Sequence, residues 1–294
     1  MKKRIFYGVA AALAVSGALA AGPGASYGAV ITAGAGQTVT QVPAGPGAAE
    51  AGRADQTGRQ ATAVQAEAPA PAVQPESAAA RPSFDAAAFV LPEEARVLVV
   101  VEGTEGSQCR VYAYEKQPDG WMQVLSTPGV LGANGMSNHR VEGDKTTPIG
   151  VFQMNTPFGQ KEALEGFPSN YIQVNKNHVW SDRTNKLVED PSAEGEHVGS
   201  AGYAGYYDYV IDAGFNPLGL ERQGSALFLH CSGEYKASTS GCVAIDPEQM
   251  LAVMRLYGTY GDGACYIAQA PEGTFGQIYG SYGTNQGLSP EGNF

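Results

Sequence analysis

Apolar and polar positions change in texture along this chain, and each change predicts a different kind of segment. Met1-Lys2-Lys3-Arg4 opens it with basic residues, and Ile5 to Leu19 follows as an apolar run broken only by Gly8, Ser16 and Gly17. That run falls short of the roughly 20 residues a bilayer span needs. Ala18-Leu19-Ala20 then supplies the small-x-small pattern that a signal peptidase cuts. Residues 1–20 are therefore expected to be an export signal, which places the protein outside the cytoplasm, secreted or cell-wall associated. An uncleaved membrane anchor is the alternative. From Ala21 to about Pro82 the chain is Ala, Gly, Pro, Gln and Thr with hardly an aromatic residue. Such a segment has too little apolar surface to offset ordering entropy and reads as an extended linker over 21–82.

Beyond it the pattern becomes that of strands. Glu94 to Val101 is a nearly continuous apolar run, and Cys109 to Tyr114 alternates. Gln117-Pro118-Asp119-Gly120 turns the chain into Trp121 to Leu125, which predicts a hairpin. Further strands are expected at Ile149–Met154, Tyr171–Val174, His178–Ser181, Tyr209–Ile211, Ala226–Cys231, Cys242–Ile245 and Ala264–Gln269. One helix is marked by Asp246 as N-cap, Pro247 at the first turn, and Met250, Val253, Met254 and Tyr257 on one face. Gly258, Gly261 and Gly263 are expected to end it. The whole predicts a mainly β domain over 83–270 and a loose Gly-, Ser- and Asn-rich tail over 271–294.

Charge narrows the partners. The formal charge of −11 becomes −14 once Lys2, Lys3 and Arg4 are removed with the leader. That acidity argues against nucleic acid, whose binding needs clustered Lys and Arg. The four cysteines (109, 231, 242 and 265) are too few for a disulfide scaffold and fit no zinc spacing. Cys109 and Cys265, both on predicted strands, are candidates to pair in an oxidising compartment.

The chemistry concentrates between Gly224 and Asp246. A buried strand delivers His230 at its end, a polar loop follows, and Gly241 leads into Cys242 at the start of an apolar strand. A thiol nucleophile needs a base within hydrogen-bond reach, and two strand ends on one sheet edge supply that geometry. Backbone N–H groups of Gly241 and Cys242 would then face a developing oxyanion. Read alone, the pattern also fits a buried structural cysteine, half of a disulfide, or a reversible Cys231–Cys242 pair. Zinc at His230, Cys231 and Cys242 lacks a fourth ligand.

The order strand, Leu229-His230, loop, Thr239-Ser240-Gly241-Cys242-Val243 resembles the catalytic domain of L,D-transpeptidases of the YkuD type. Gly129 to Gly135, followed by Val141-Glu-Gly-Asp-Lys-Thr-Thr-Pro-Ile-Gly-Val-Phe152, is similar to the family's EGD-x-x-TP-x-G-x-F segment. The similarity spans about Arg96 to Ala270. Two positions depart from it: Ser240 stands where the family has a second His, and Ala244 where it has Arg or Asn. The resemblance implies a β-sandwich or partly closed barrel with one or two flanking helices. It implies Cys242 as nucleophile, His230 as base, and Cys231 as the residue whose backbone carbonyl orients that base. Thr239, Ser240 and His139 join Cys231 as candidate orienting or groove residues. His178 and His197 read as structural or solvated. Trp180 and Tyr203, Tyr206, Tyr207 and Tyr209 read as either an aromatic wall or a satellite core.

The implied activity is acyl transfer on peptidoglycan stem peptides by a monomer, without metal or organic cofactor. An L,D-carboxypeptidase or endopeptidase, and a non-catalytic wall-binding module, are the rival readings.

Overall fold

The computed structural model describes residues 81–233 and 237–283. Apart from Arg81 and Pro82, the expected leader and linker lie outside the described residues. The first strands are β1 (Val97–Gly103), β2 (Gln108–Gln117), β3 (Gly120–Val130), β4 (Met136–Ser137) and β5 (Thr147–Pro148). Next come β6 (Gly150–Gln153), β7 (Asn155–Gly159), β8 (Ile172–Gln173), β9 (His178–Ser181), β10 (Lys186–Glu189) and β11 (Gly195–Glu196). The chain ends through β12 (Val210–Asp212), β13 (Phe228–Cys231), β14 (Val243–Ile245), helix α1 (Pro247–Tyr260) and β15 (Cys265–Pro271).

Ten strands form one sheet in the order β6-β15-β1-β2-β3-β14-β13-β12-β7-β8, curled into a half-barrel. The expected mainly β class holds, with α1 as the one α-helix among the described residues. β1 is buried along its whole length because it lies inside the sheet, parallel to β15 and antiparallel to β2. This is why its sequence runs apolar without alternating.

Three clusters use the two faces of the sheet. On one face, Val97, Val99 and Val101 join Leu229, Cys231, Val243 and Ile245 around Met250, Val253, Met254 and Tyr257 of α1. Burying side chains of this size contributes roughly 1.5–3 kcal/mol each, so packing rather than intrinsic propensity holds the helix. On the other face of β1 and β2, Leu98, Val100 and Tyr112 pack with Phe89, Phe275 and Ile278. Behind β12 and β13 a third cluster gathers Phe158, Trp180, Tyr207, Val210, Phe228 and Cys242.

Several expectations are corrected. Residues 272–283 pack against the sheet where a loose tail was expected, and the rest of that tail lies outside the described residues. The scattered Phe275 and Ile278 are core residues covering β1 and β15. Cys109 and Cys265 are free and buried. Cys109 pairs with Gly103 at one end of β1, while Cys265 pairs with Val97 at the other. Six residues of strand separate them, roughly 20 Å at about 3.3 Å per residue, far beyond the reach of a disulfide. Helix α1 continues through Gly258 and stops at Gly261, whose φ is 78°.

Candidate active site

β13 and β14 run parallel, with Leu229 beside Val243, His230 beside Ala244 and Cys231 beside Ile245. Successive side chains on a strand point to opposite faces. Phe228, His230, Cys242 and Ala244 therefore share one face, and Leu229, Cys231, Val243 and Ile245 the other. The cluster memberships agree, with Cys242 and Phe228 together behind the sheet and Cys231 against α1. The structure thus places His230 and Cys242 diagonally on one face and turns Cys231 away from both. Cys231 Sγ points to the Tyr209 carbonyl at 3.7 Å.

His230 is buried, and its Nδ1 lies 2.8 Å from the Cys231 carbonyl oxygen. A carbonyl can only accept, so Nδ1 carries a proton, and in the neutral ring Nε2 is then the basic nitrogen. The Tyr207 ring meets the imidazole edge-on at 5.3 Å. Tyr207 in turn donates to Glu196 Oε1 at 2.5 Å and stacks on Tyr203 at 4.5 Å. Burial first, then the Glu196 charge, hold the Tyr207 phenol well above its ordinary pKa, so it stays protonated and keeps its bond to Glu196.

Cys242 sits at the mouth of β14 with 8% of its surface exposed. Its thiol donates to the Ala226 carbonyl at 3.2 Å and accepts the Phe228 N–H at 3.4 Å. Ala226 reaches that carbonyl position with φ of 54°, a left-handed conformation that costs a residue with a Cβ about 1–2 kcal/mol. A buried amide frame holds it there. The Ala226 N–H donates to Asn185 Oδ1, which also accepts the Trp180 indole N–H, and the Asn185 amide donates to the Phe215 and Asn216 carbonyls. Trp180 is accordingly a core residue, and Tyr209 packs on the α1 side.

The turn into the cysteine is fixed by two threonines. Thr239 Oγ1 accepts the Gly241 N–H at 3.0 Å and donates to the Cys242 carbonyl at 2.6 Å. Thr239 also exchanges backbone bonds with Leu131 and Ala133. Thr147, from the Glu-Gly-Asp segment, donates to the Gly241 carbonyl and accepts the Gly132 N–H, both at 2.9 Å. Of the two main-chain donors expected for an oxyanion, that of Gly241 is thus directed at Thr239. Ser240, in place of the family's histidine, is exposed. Ala244 is buried beside His230.

His139 is exposed, with its main-chain N–H on Ser137 Oγ. Its neighbour Arg140 turns inward instead, and sequence reasoning did not single it out. Arg140 has a side chain only 5% exposed and pairs with Asp144 at 3.2 Å. It also donates to the Thr146 carbonyl. A Cβ added to Gly241, where φ is 136°, would lie 2.6 Å from Arg140 Nη1, so the glycine before the nucleophile makes room for this cation. His178 accepts the Asn175 N–H through Nδ1, and His197 is exposed. Among the described residues, no group of three or more His, Cys, Asp or Glu is placed to hold a metal ion, and no helix is long and apolar enough to cross a membrane.

The family model for the YkuD L,D-transpeptidase catalytic domain matches residues 96–260. A solved structure of Bdellovibrio bacteriovorus Bd1075 is similar at 13% identity and a TM-score of 0.35, over 64% of this chain. The chain spans about half (52%) of that protein's length. No curated protein matches the chain.

Proposed function

The chain belongs to the YkuD family of L,D-transpeptidase catalytic domains, enzymes acting on peptidoglycan, and from that premise we propose an exported transpeptidase with Cys242 as nucleophile and His230 as base. The observation carrying this reading is the shared face of β13 and β14. It sets Cys242, the least buried of the four cysteines, diagonal to an imidazole whose Nδ1 is committed to the Cys231 carbonyl.

In this reading His230 Nε2 takes the thiol proton. The thiolate attacks the carbonyl between the third residue of a stem peptide, an L-centre diamino acid, and D-Ala at position four. The C–N bond breaks, D-Ala leaves with the proton from His230, and a Cys242 thioester remains. An amine from a second stem, or a free D-amino acid, then attacks the thioester and gives its proton to His230. The new amide forms and the thiolate is released. In this reading the Cys242 N–H is the main-chain donor to the oxyanion, and such a donor lowers the barrier by about 3–4 kcal/mol.

Incubation with a disaccharide-tetrapeptide and a free D-amino acid, followed by mass spectrometry, tests this. D-amino-acid exchange or dimer formation is expected, and Cys242→Ala should abolish it. Release of D-Ala without exchange, still dependent on Cys242, would establish the L,D-carboxypeptidase instead. No turnover of muropeptides by a folded, reduced protein would leave a wall-binding module.

A further inference from the structure

The Gly-rich segment before the Glu-Gly-Asp motif delivers a buried cation to the cysteine turn. The Arg140 guanidinium lies between two loop glycines, one before each strand of the candidate pair. A Cβ on Gly224 would meet Nη2 at 3.2 Å and Nε at 3.4 Å, and one on Gly241 would meet Nη1 at 2.6 Å. Both glycines have positive φ, 93° and 136°, so backbone shape and side-chain absence serve the same purpose. Nη1 is occupied by Asp144 and the Thr146 carbonyl. Nε is buried with no partner among the described residues. A buried charge left partly unsatisfied costs stability, so the bonds at Nη1 leave part of the cost of burying this cation uncompensated.

Gly241, which the guanidinium abuts, is the residue immediately before Cys242. Burial pulls the Arg140 pKa down, and the charges of Asp144, Cys242 and Glu142 push it back up, so arginine and cysteine interact electrostatically. Other groups surround the thiol. His230 flanks it from β13, and Tyr203 and Tyr207, joined to Glu196, interact with it from the 196–207 segment. The Ala226 carbonyl, accepting from the thiol, favours its protonated form. Among these described groups Arg140 alone is permanently cationic. The turn therefore holds an acceptor that keeps the resting thiol protonated and a cation that favours its anion.

We propose that Arg140 is a positioning residue for the nucleophile, its clamped guanidinium supplying the positive charge that stabilises the Cys242 thiolate once the proton passes to His230. This rests on Cys242 being the nucleophile and adds a residue that the Cys–His pair alone does not include.

The test follows alkylation of Cys242 by iodoacetamide in the full chain from about pH 5 to 9, with the modified residue identified by peptide mass spectrometry. An opposite charge at close range moves a titration by about one unit or more. Arg140→Gln should raise the alkylation midpoint by about one unit, a roughly tenfold slower reaction below it. Arg140→Lys, which keeps the charge, should recover most of that shift. Asp144→Asn, which removes the counter-charge, should move the midpoint the opposite way, and it carries the test if Arg140→Gln does not fold. Midpoints unchanged in Arg140→Gln and Asp144→Asn, or raised equally by Gln and Lys, would overturn the proposal and leave Arg140 a packing residue. A wild-type Cys242 inert at every pH would instead remove the nucleophile assignment on which the proposal stands.

Discussion

At Asp212 a carboxyl sits inside the sheet, where the register of β12 against β7 shifts. It receives the Gly214 N–H and the Asn155 amide, while Oδ1 has no partner among the described residues. Burial raises its pKa from 3.8 to about 7 against those two hydrogen bonds. An unfolded chain ionises this carboxyl near its ordinary value, so between about pH 4 and 7 the folded state holds a proton that the unfolded state has lost. Stability therefore falls as pH rises through that window, by a total on the order of 4 kcal/mol at about 1.36 kcal/mol per unit. Asp212→Asn keeps the shape without titrating. Its urea midpoint should be nearly flat from pH 4 to 8 while that of the wild type declines, and parallel curves would show that Asp212 ionises alike in both states. Neither Asp212 nor Arg140 was legible as a buried charge. A one-residue register shift hides Asp212, and Arg140 is one more arginine in a polar, Gly-rich loop until the fold sets Gly224 and Gly241 around it. His230 and Cys242 were legible because each stands at the edge of an apolar strand run.

At the scale of elements, helix α1 shows how far local signals reach. Asp246, read as an N-cap, accepts the Glu248 N–H at 2.8 Å, and the four side chains expected on one face are buried together. Removing such a cap costs about 1 kcal/mol. Asp246→Ala should accordingly lower the melting temperature by roughly 2–4 °C, measured by circular dichroism, with Cys242 alkylation unchanged. A drop several times larger would mean that the cap governs the packing of α1 on β13 and β14 as well as its own first turn. Strands were legible where apolar residues ran long, as in β1 and β15. The short β4, β5, β10 and β11 were not, because two to four residues carry no period. The spacing of Phe275 and Ile278 fits no regular element either, and only the uncovered face of β1 and β15 explains their burial.

Across the whole molecule, the four cysteines are sorted by the sheet. Burial pushes the thiols of Cys109, Cys231 and Cys265 up to about 12, whereas Cys242 lies at the mouth of its strand. Native protein near neutral pH is expected to consume one equivalent of a thiol reagent, and four after unfolding in denaturant. Two fast equivalents in the native state would show that one of the inner three is reachable. No reading of spacing separates these thiols, since it is the antiparallel return of β2 along β1 and the alternation of β13 that send them to different places. The same sorting governs how the protein meets an oxidant. Cys242, the least buried of the four, has its nearest cysteine in sequence turned to the opposite face of the sheet, so Cys231 does not stand ready to close a bridge with it. Oxidation then gives a sulfenic acid that a small thiol can cap as a reversible mixed disulfide, but that further oxidant carries on to the irreversible sulfinic acid, because the fold has no bridge in which to shelter its own nucleophile.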